Sequence, residues 1–145
     1  PFRPDCQTDL QKCSPAEILN AYDNTIAYTD RSLARVIDIL KKHEATVASS
    51  MVYVSDHGES LGEGGLFMHG TPYAVAPVQQ KHVPLIAWMS DGYKALAGFD
   101  MACAAARAGG SYSHDNLYHT LLGMMNVKTE IYKPELDMFK GCRNG

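Results

Sequence analysis

The sequence predicts an α/β fold whose central, mostly parallel sheet is covered by helices. Two observations carry this. A long amphipathic segment over residues 15–43 leads into a short, unalternating apolar run, Met51–Ser55. A second such run, Val83–Met89, follows a glycine-rich stretch. Strands of parallel sheets are buried on both faces, with helices as the cover, so a helix feeding an all-apolar strand is half of a crossover unit. Two strands cannot make a sheet wide enough for these helices. The remaining strands are expected from sequence outside this chain or from short strands inside apparent loops.

Composition narrows the function classes. The chain has 145 residues, 46% of them hydrophobic, enough for one domain or part of a larger one. It carries 13 basic and 16 acidic residues, a net charge of −3, with no basic stripe, which argues against nucleic acid as a partner. No apolar run reaches the roughly 18 residues of a membrane-spanning helix. The sequence opens Pro-Phe-Arg-Pro without a start methionine or leader, and we expect a piece of a longer protein lacking its N-terminal part.

The four cysteines, at positions 6, 13, 103 and 142, point to disulfides in an oxidising compartment. A zinc knuckle is the competing reading, but no Cys-x-x-Cys spacing occurs. Cys6 and Cys13 can close a small loop. Cys103 can reach Cys142 if the last segment folds back. Four cysteines permit three pairings, and sequence alone does not choose among them.

Taken in order, residues 1–13 read as an irregular loop. Ser14-Pro15-Ala16-Glu17 is a helix start: Ser14 caps, Pro15 suits the first helical position and Glu17 completes a capping box. Ile18, Leu19, Tyr22, Ile26, Leu33, Val36, Ile37 and Leu40 then form one apolar stripe. Lys41, Lys42 and His43 suit the C-terminal carbonyls. Asp23 and Asp30 could be ligands, but a solvated helix face or helix–loop hydrogen bonding explains them better. Residues 58–81 show no periodicity and read as a functional loop. Ser90-Asp91-Gly92 reads as a turn. Asp100 to Ala108 is an alanine-rich helix capped by Asp100 and ended by Gly109-Gly110. Ser113 caps a further helix with Leu117, Leu121 and Leu122 inward and Gly123 near its end. The tail from Asn126 to Gly145 is mixed.

The chemistry concentrates in Val52-Tyr53-Val54-Ser55-Asp56-His57-Gly58-Glu59-Ser60-Leu61-Gly62-Glu63, with His69 close behind. Successive strand residues point to opposite faces, so Asp56 and His57 can meet on one ion only if the chain leaves the strand there. Gly58 permits that by taking backbone angles other residues avoid. The carboxyl end of a strand is where α/β folds place ligands. A carboxylate oxygen with an imidazole nitrogen suits Zn²⁺ better than Mg²⁺ or Ca²⁺. His69 can bind a second metal, hold a phosphate oxygen or protonate a leaving group. Glu59 and Glu63 are either acceptors that orient a histidine or exposed charges. His43, His82, His114 and His119 read as ordinary helix-end, pre-strand and helix residues.

These residues carry a resemblance. The run from Val52 to Glu63, then Met68-His69-Gly70-Thr71-Pro72-Tyr73, then Gln80-Lys81-His82-Val83-Pro84-Leu85, resembles the phosphoethanolamine transferases. These lie in the sulfatase-like branch of the alkaline phosphatase superfamily and include the mobilised colistin-resistance enzymes. The segments from Cys6 to Cys13, Asn20 to Thr25 and Ser113 to Gly123 match as well, so the likeness covers nearly the whole chain; Gly64 stands where the family usually has asparagine. The resemblance implies an α/β/α sandwich. It implies that residues 1–145 are the C-terminal portion of a periplasmic catalytic domain, on the outer face of a Gram-negative inner membrane, acting as a monomer. An N-terminal membrane domain would precede it. The implied reaction is zinc-dependent transfer of phosphoethanolamine from phosphatidylethanolamine to lipid A through a phospho-threonine, which protects against polymyxin and colistin. Asp56 and His57 match two zinc ligands, and His69 matches a histidine at the substrate phosphate or a second zinc. The nucleophilic threonine, a glutamate ligand and a further histidine match nothing here; Thr25 and Thr71 are not substitutes. A sulfatase or phosphodiesterase of the same superfamily is the alternative enzyme, and a non-catalytic metal-binding module is the alternative for the chain alone.

Overall fold

Ser14 starts the first helix through the reciprocal bonding that its sequence predicts. In the computed structural model, which describes residues 1–144, the Glu17 amide donates to Ser14 Oγ (3.3 Å) while the Ser14 amide and hydroxyl donate to Glu17 Oε2 (both 2.8 Å). Helix α1 then runs Pro15–Lys42. The N-terminal segment lies along it: the Asn24 side chain exchanges hydrogen bonds with both backbone groups of Phe2, and Asn20 Nδ2 donates to the Pro4 carbonyl. These helix–loop bonds on the polar side of α1 are made by its asparagines rather than by Asp23 or Asp30. Cys6 and Cys13 are joined, tying that segment into a loop.

The chain divides into two compact units. The first holds residues 1–42 and 51–88, and the second holds 43–50 and 89–145. β1 (Ser50–Val54) lies beside β4 (Leu85–Met89), all but the end residues Ser50 and Met89 falling in the first unit. The Ser55 amide bonds to the Pro84 carbonyl beyond one end of the pair, and the Ser90 amide to the Ser49 carbonyl beyond the other. The start of one strand therefore faces the end of its neighbour, and the two run antiparallel. Among the described residues, the parallel neighbours expected for β1 are not seen. The connection from β1 to β4 is the site loop rather than a crossover helix, and that allows the antiparallel return.

The stretch read as featureless does hide strands. β2 (Ser60–Leu61) pairs antiparallel with β3 (Phe67–Met68), Ser60 opposite Met68 and Leu61 opposite Phe67, around a 3-10 turn at Glu63–Gly65. Two-residue strands are too short for an alternating pattern to show. A one-turn helix, α2 (Val78–Lys81), precedes β4. Helix α1 packs against β2, and Ile18 is its buried residue. The predicted stripe is only partly covered: Leu19, Ile26 and Val36 are exposed, as are Leu85 and Ile86 of β4.

In the second unit, Ser90 is a helix cap rather than a turn residue. Its hydroxyl accepts from the Tyr93 amide at the start of α3 (Asp91–Ala97) and from the Ser49 amide, both at 3.0 Å. Asp100 caps α4 (Met101–Ala106) through the amides of Ala102 and Cys103, as its sequence predicts. Helix α5 spans Asp115–Met124. Of the leucines expected inward, Leu117 and Leu122 are half-buried and only Leu121 departs, but the most buried positions are others. The buried residues are Asn116, His119, Thr120 and Met124, and Leu121 is exposed. Polar residues can line this face because each is bonded. Thr120 Oγ1 accepts from the Met138 amide, Asn116 Nδ2 donates to the Leu136 carbonyl, and His119 Nδ1 accepts from the Lys133 amide. Phe99 packs edge-on against Phe139 with ring centres 5.3 Å apart. Cys103 is joined to Cys142. Of the three possible pairings the chain adopts Cys6–Cys13 with Cys103–Cys142, and each bond restrains the unfolded chain by about 2–4 kcal/mol.

A buried ion pair anchors the tail. The Asp137 carboxylate, fully buried, meets the Arg143 guanidinium and accepts from Tyr132 Oη (2.6 Å) and the Phe139 amide (2.9 Å). Burial, and then the bond to Asp137, raise the Tyr132 phenol above its ordinary value. Gly123 gives this cluster its room: a Cβ there would overlap the Arg143 guanidinium and the Asp137 carboxylate.

Gly123→Ala is therefore expected to lower folding stability by about 1–3 kcal/mol through overpacking, read as a lower urea midpoint. The capping box has a pH signature. The backbone and then side-chain bonds from Ser14 hold Glu17 below its ordinary value of 4.5. A depressed carboxyl stabilises the fold above its unfolded value and loses that contribution as pH falls through the folded one. Glu17→Gln should flatten this part of the acid side of a stability–pH profile and leave the profile's shape above pH 6 unchanged.

Candidate functional site

The site begins where β1 stops. Ser55 Oγ donates to the His57 carbonyl (2.8 Å), closing a tight loop that carries Asp56 and His57 out of the strand. Gly58 follows, and its amide donates to the Gln80 carbonyl at 3.0 Å. Gly58 is required here by proximity. A Cβ would run into the Gln79 carbonyl, while Gly58 is not among the residues of positive φ. The unusual backbone angles expected of it are thus replaced by a steric demand.

Gln80 organises the loop that follows. It is 7% exposed. Its Nε2 donates to Ser60 Oγ (2.9 Å), its Oε1 accepts from the Thr71 amide (3.2 Å), and its carbonyl holds Gly58. One residue thus pins the loop before β2 and again just after His69. Between these points Met68 takes a positive φ of 63° and Gly70 one of 102°. A methionine in that region is strained, and such strain collects at functional sites. These two residues turn the chain so that the His69 ring lies over His57, with centroids 3.8 Å apart and planes tilted by 32°.

Each imidazole is held at Nδ1. His57 Nδ1 lies 3.1 Å from the Gly58 carbonyl, and His69 Nδ1 lies 2.9 Å from Glu59 Oε1. A carbonyl only accepts, so the His57 proton sits on Nδ1 and Nε2 is left with its lone pair. That nitrogen is 3.8 Å from Asp56 Oδ2. Zinc–nitrogen and zinc–carboxylate bonds together span about 4.2 Å, so both atoms can reach one ion. Asp56 is otherwise free to do so, with a side chain 89% exposed and Oδ1 accepting only the His57 amide. His57, Glu59 and His69 form a second set of potential ligands, with one atom from each within 4.8 Å of the others. Glu59 Oε2 is a buried oxygen with no partner among the described residues. The donors present therefore fit a divalent metal.

Of the residues singled out in the sequence, Asp56, His57 and His69 come from one loop system, and the structure stacks the two histidines. Glu59, left open between two readings, bonds to His69. Glu63 instead accepts the Leu61 amide and belongs to the hairpin turn. The remaining histidines lie elsewhere: His82 follows α2, His43 follows α1, and His114 and His119 belong to the start and body of α5. Thr25 bonds the Tyr22 carbonyl within α1. Gln80 carries no local signal, since a glutamine in Val-Gln-Gln-Lys reads as surface.

The model of the family described as Sulfatase matches residues 1–127. The chain belongs to the sulfatase family. This sulfatase-family chain is 44% identical over 144 residues to the phosphoethanolamine transferase EptA of Salmonella typhimurium, an alignment covering 98% of the chain and 26% of that protein. It thus spans about a quarter of the length of the curated relatives it matches. Among solved structures, the soluble domain of lipooligosaccharide phosphoethanolamine transferase A from Neisseria meningitidis superposes with a TM-score of 0.94 at 39% identity, covering 99% of this chain and 44% of that one. The C-terminal periplasmic domain of phosphoethanolamine transferase EptC from Campylobacter jejuni gives 0.87 at 46% identity, covering 97% and 44%. The fold is the sulfatase-like α/β fold. No helix among the described residues is long and apolar enough to cross a membrane.

Gly58→Ala should displace the Asp56–His57 loop from α2. The expected result is a loss of about 1–3 kcal/mol in unfolding experiments, together with reduced metal content by elemental analysis of the purified protein. Unchanged metal content would show that the Gln79 contact does not position the ligands.

Proposed function

We propose that this chain is the C-terminal portion of the periplasmic catalytic domain of a phosphoethanolamine transferase. In the complete protein an N-terminal membrane domain anchors it to the outer face of the inner membrane. The enzyme moves phosphoethanolamine from phosphatidylethanolamine to lipid A and so protects against polymyxins. One observation carries the reading: Asp56 and His57 leave the end of β1 with ligand atoms 3.8 Å apart and His69 stacked behind them. They do so in a chain 44% identical, over nearly its whole length, to a protein of that name. The two disulfides support an oxidising compartment.

Asp56 Oδ2 and His57 Nε2 would hold zinc, and the remaining positions would be filled from sequence outside this chain, which also supplies the nucleophilic threonine. When bound, zinc lowers the pKa of a hydroxyl nucleophile and neutralises phosphoryl oxygens. The chain's own residues orient and discriminate. The Gly58 carbonyl fixes the His57 tautomer, so that only Nε2 faces the ion. His69 presents Nε2 towards the phosphoryl group, where a protonated ring donates to a phosphoryl oxygen or to the leaving oxygen. Phosphoryl transfer depends on such positioning and charge neutralisation more than on covalent participation by many groups. A net-negative protein acting on anionic lipid needs that local positive charge.

Asp56→Ala and His57→Ala, made separately in the complete protein, are each expected to remove zinc from the purified enzyme and to abolish polymyxin protection while the protein still accumulates in the membrane. Transfer activity retained with zinc still bound would remove the ligand assignment.

A further inference from the structure

We propose that Glu59 is the positioning residue for His69. Its Oε1 accepts the Nδ1 proton, which makes Nε2 the atom His69 offers to substrate. The inference deepens the reading of His69 given above and rests on it.

The geometry distinguishes this role from direct ligation. His69 Nδ1 and Glu59 Oε1 are 2.9 Å apart, an ordinary charge-assisted hydrogen bond. Two donors on one tetrahedral zinc with bonds of about 2.1 Å stand roughly 3.4 Å apart, so this contact is too close for that coordination and suited to a shared proton. The same Oε1 lies 3.8 Å from His57 Nδ1, beyond hydrogen-bond reach, and that nitrogen already faces the Gly58 carbonyl. Glu59 therefore grips one ring of the stacked pair and leaves the other to the backbone.

The grip matters because His69 has little else to hold it. Its side chain is 46% exposed. It sits between two residues of positive φ, and Glu59 is the one hydrogen-bond partner of its ring among the described residues. Glu59 is better anchored. It sits between Gly58, held by Gln80, and Ser60, which is 1% exposed and bonded to the Gln80 side chain. Its second oxygen is shielded from solvent. A carboxylate fixed in this way sets both the rotation and the tautomer of an imidazole, and removing such an outer partner lowers activity or metal affinity by about 10–100-fold.

The test uses the full-length protein with ¹⁵N-labelled histidine, the His69 signals being those lost in His69→Gln. In the wild type, His69 is expected to show a proton on Nδ1, shifted downfield by the carboxylate. His69 with a bare Nδ1 and its proton on Nε2 overturns the proposal whether or not any variant folds. Glu59→Ala should lower kcat by about 10–100-fold, with KM within about threefold and zinc content unchanged. Glu59→Gln, whose amide oxygen still accepts from Nδ1, should recover a measurable part of that loss and carries the kinetic test if Glu59→Ala fails to fold. Activity of Glu59→Ala within twofold of wild type, or zinc lost in step with activity, also overturns it. If His69→Gln is fully active while the Nδ1 proton is present, the substrate-side reading of His69 fails and the hydrogen bond itself stands.

Discussion

The contact between Gly58 and the backbone of Gln79 and Gln80 is the constraint on which the site depends. A chain leaving a strand end must be held somewhere before it can present side chains at a defined distance. Here the absence of a Cβ lets α2 approach closely enough for the Gly58 amide to reach the Gln80 carbonyl. The Gln80 side chain then spends both ends of its amide on Ser60 and Thr71. Gln80 thus bonds to Gly58, Ser60 and Thr71 at once, and a junction of that kind is rigid because any displacement would orphan several groups together. The loop between these anchor points has little freedom left, and the strained backbone of Met68 is tolerated inside it.

That rigidity gives the two histidines different electrical surroundings although their rings are stacked. His57 is tied to a neutral carbonyl and offers a lone pair, as a metal ligand requires. His69 is tied instead to the Glu59 carboxylate. Asp56, exposed and lightly bonded, places a carboxylate oxygen 3.8 Å from the His57 nitrogen that offers the lone pair. The second unit uses the same principle for stability rather than chemistry. Asp137 is fully buried, yet it accepts from Arg143, Tyr132 and Phe139, so its desolvation is offset by bonds to both oxygens.

Much of the local structure is legible in the sequence, because its causes lie within a few residues. The capping box at Ser14 and Glu17, the Asp100 cap and the end of β1 at Asp-His-Gly are each written in neighbouring residues. Reading fails where distant chain decides. Ser90 looks like a turn residue until the Ser49 amide arrives on its hydroxyl. The inward face of α5 looks like its leucines, but the tail from Lys133 to Met138 brings backbone donors and acceptors that select Asn116, His119 and Thr120 instead. The two-residue strands at Ser60 and Phe67 are shorter than any pattern that could reveal them. The direction of β4 relative to β1 depends on pairing that no local signal records.

By itself the sequence determined the α/β character of this chain, the starts of α1 and α4, the residue types of the candidate site, and where along the chain that site lies. Those follow from periodicity, capping and the donor chemistry of Asp56, His57 and His69. Only the tertiary structure decided which nitrogen of each histidine is free, why Gly58 must be glycine, and that Glu59 and Gln80 belong to the site. For His69, Gly58 and Gln80 these are properties of atoms brought together across ten or twenty residues of chain, and for His57 of the tight loop that turns the Gly58 carbonyl onto its ring; such distances exist only once the chain has folded.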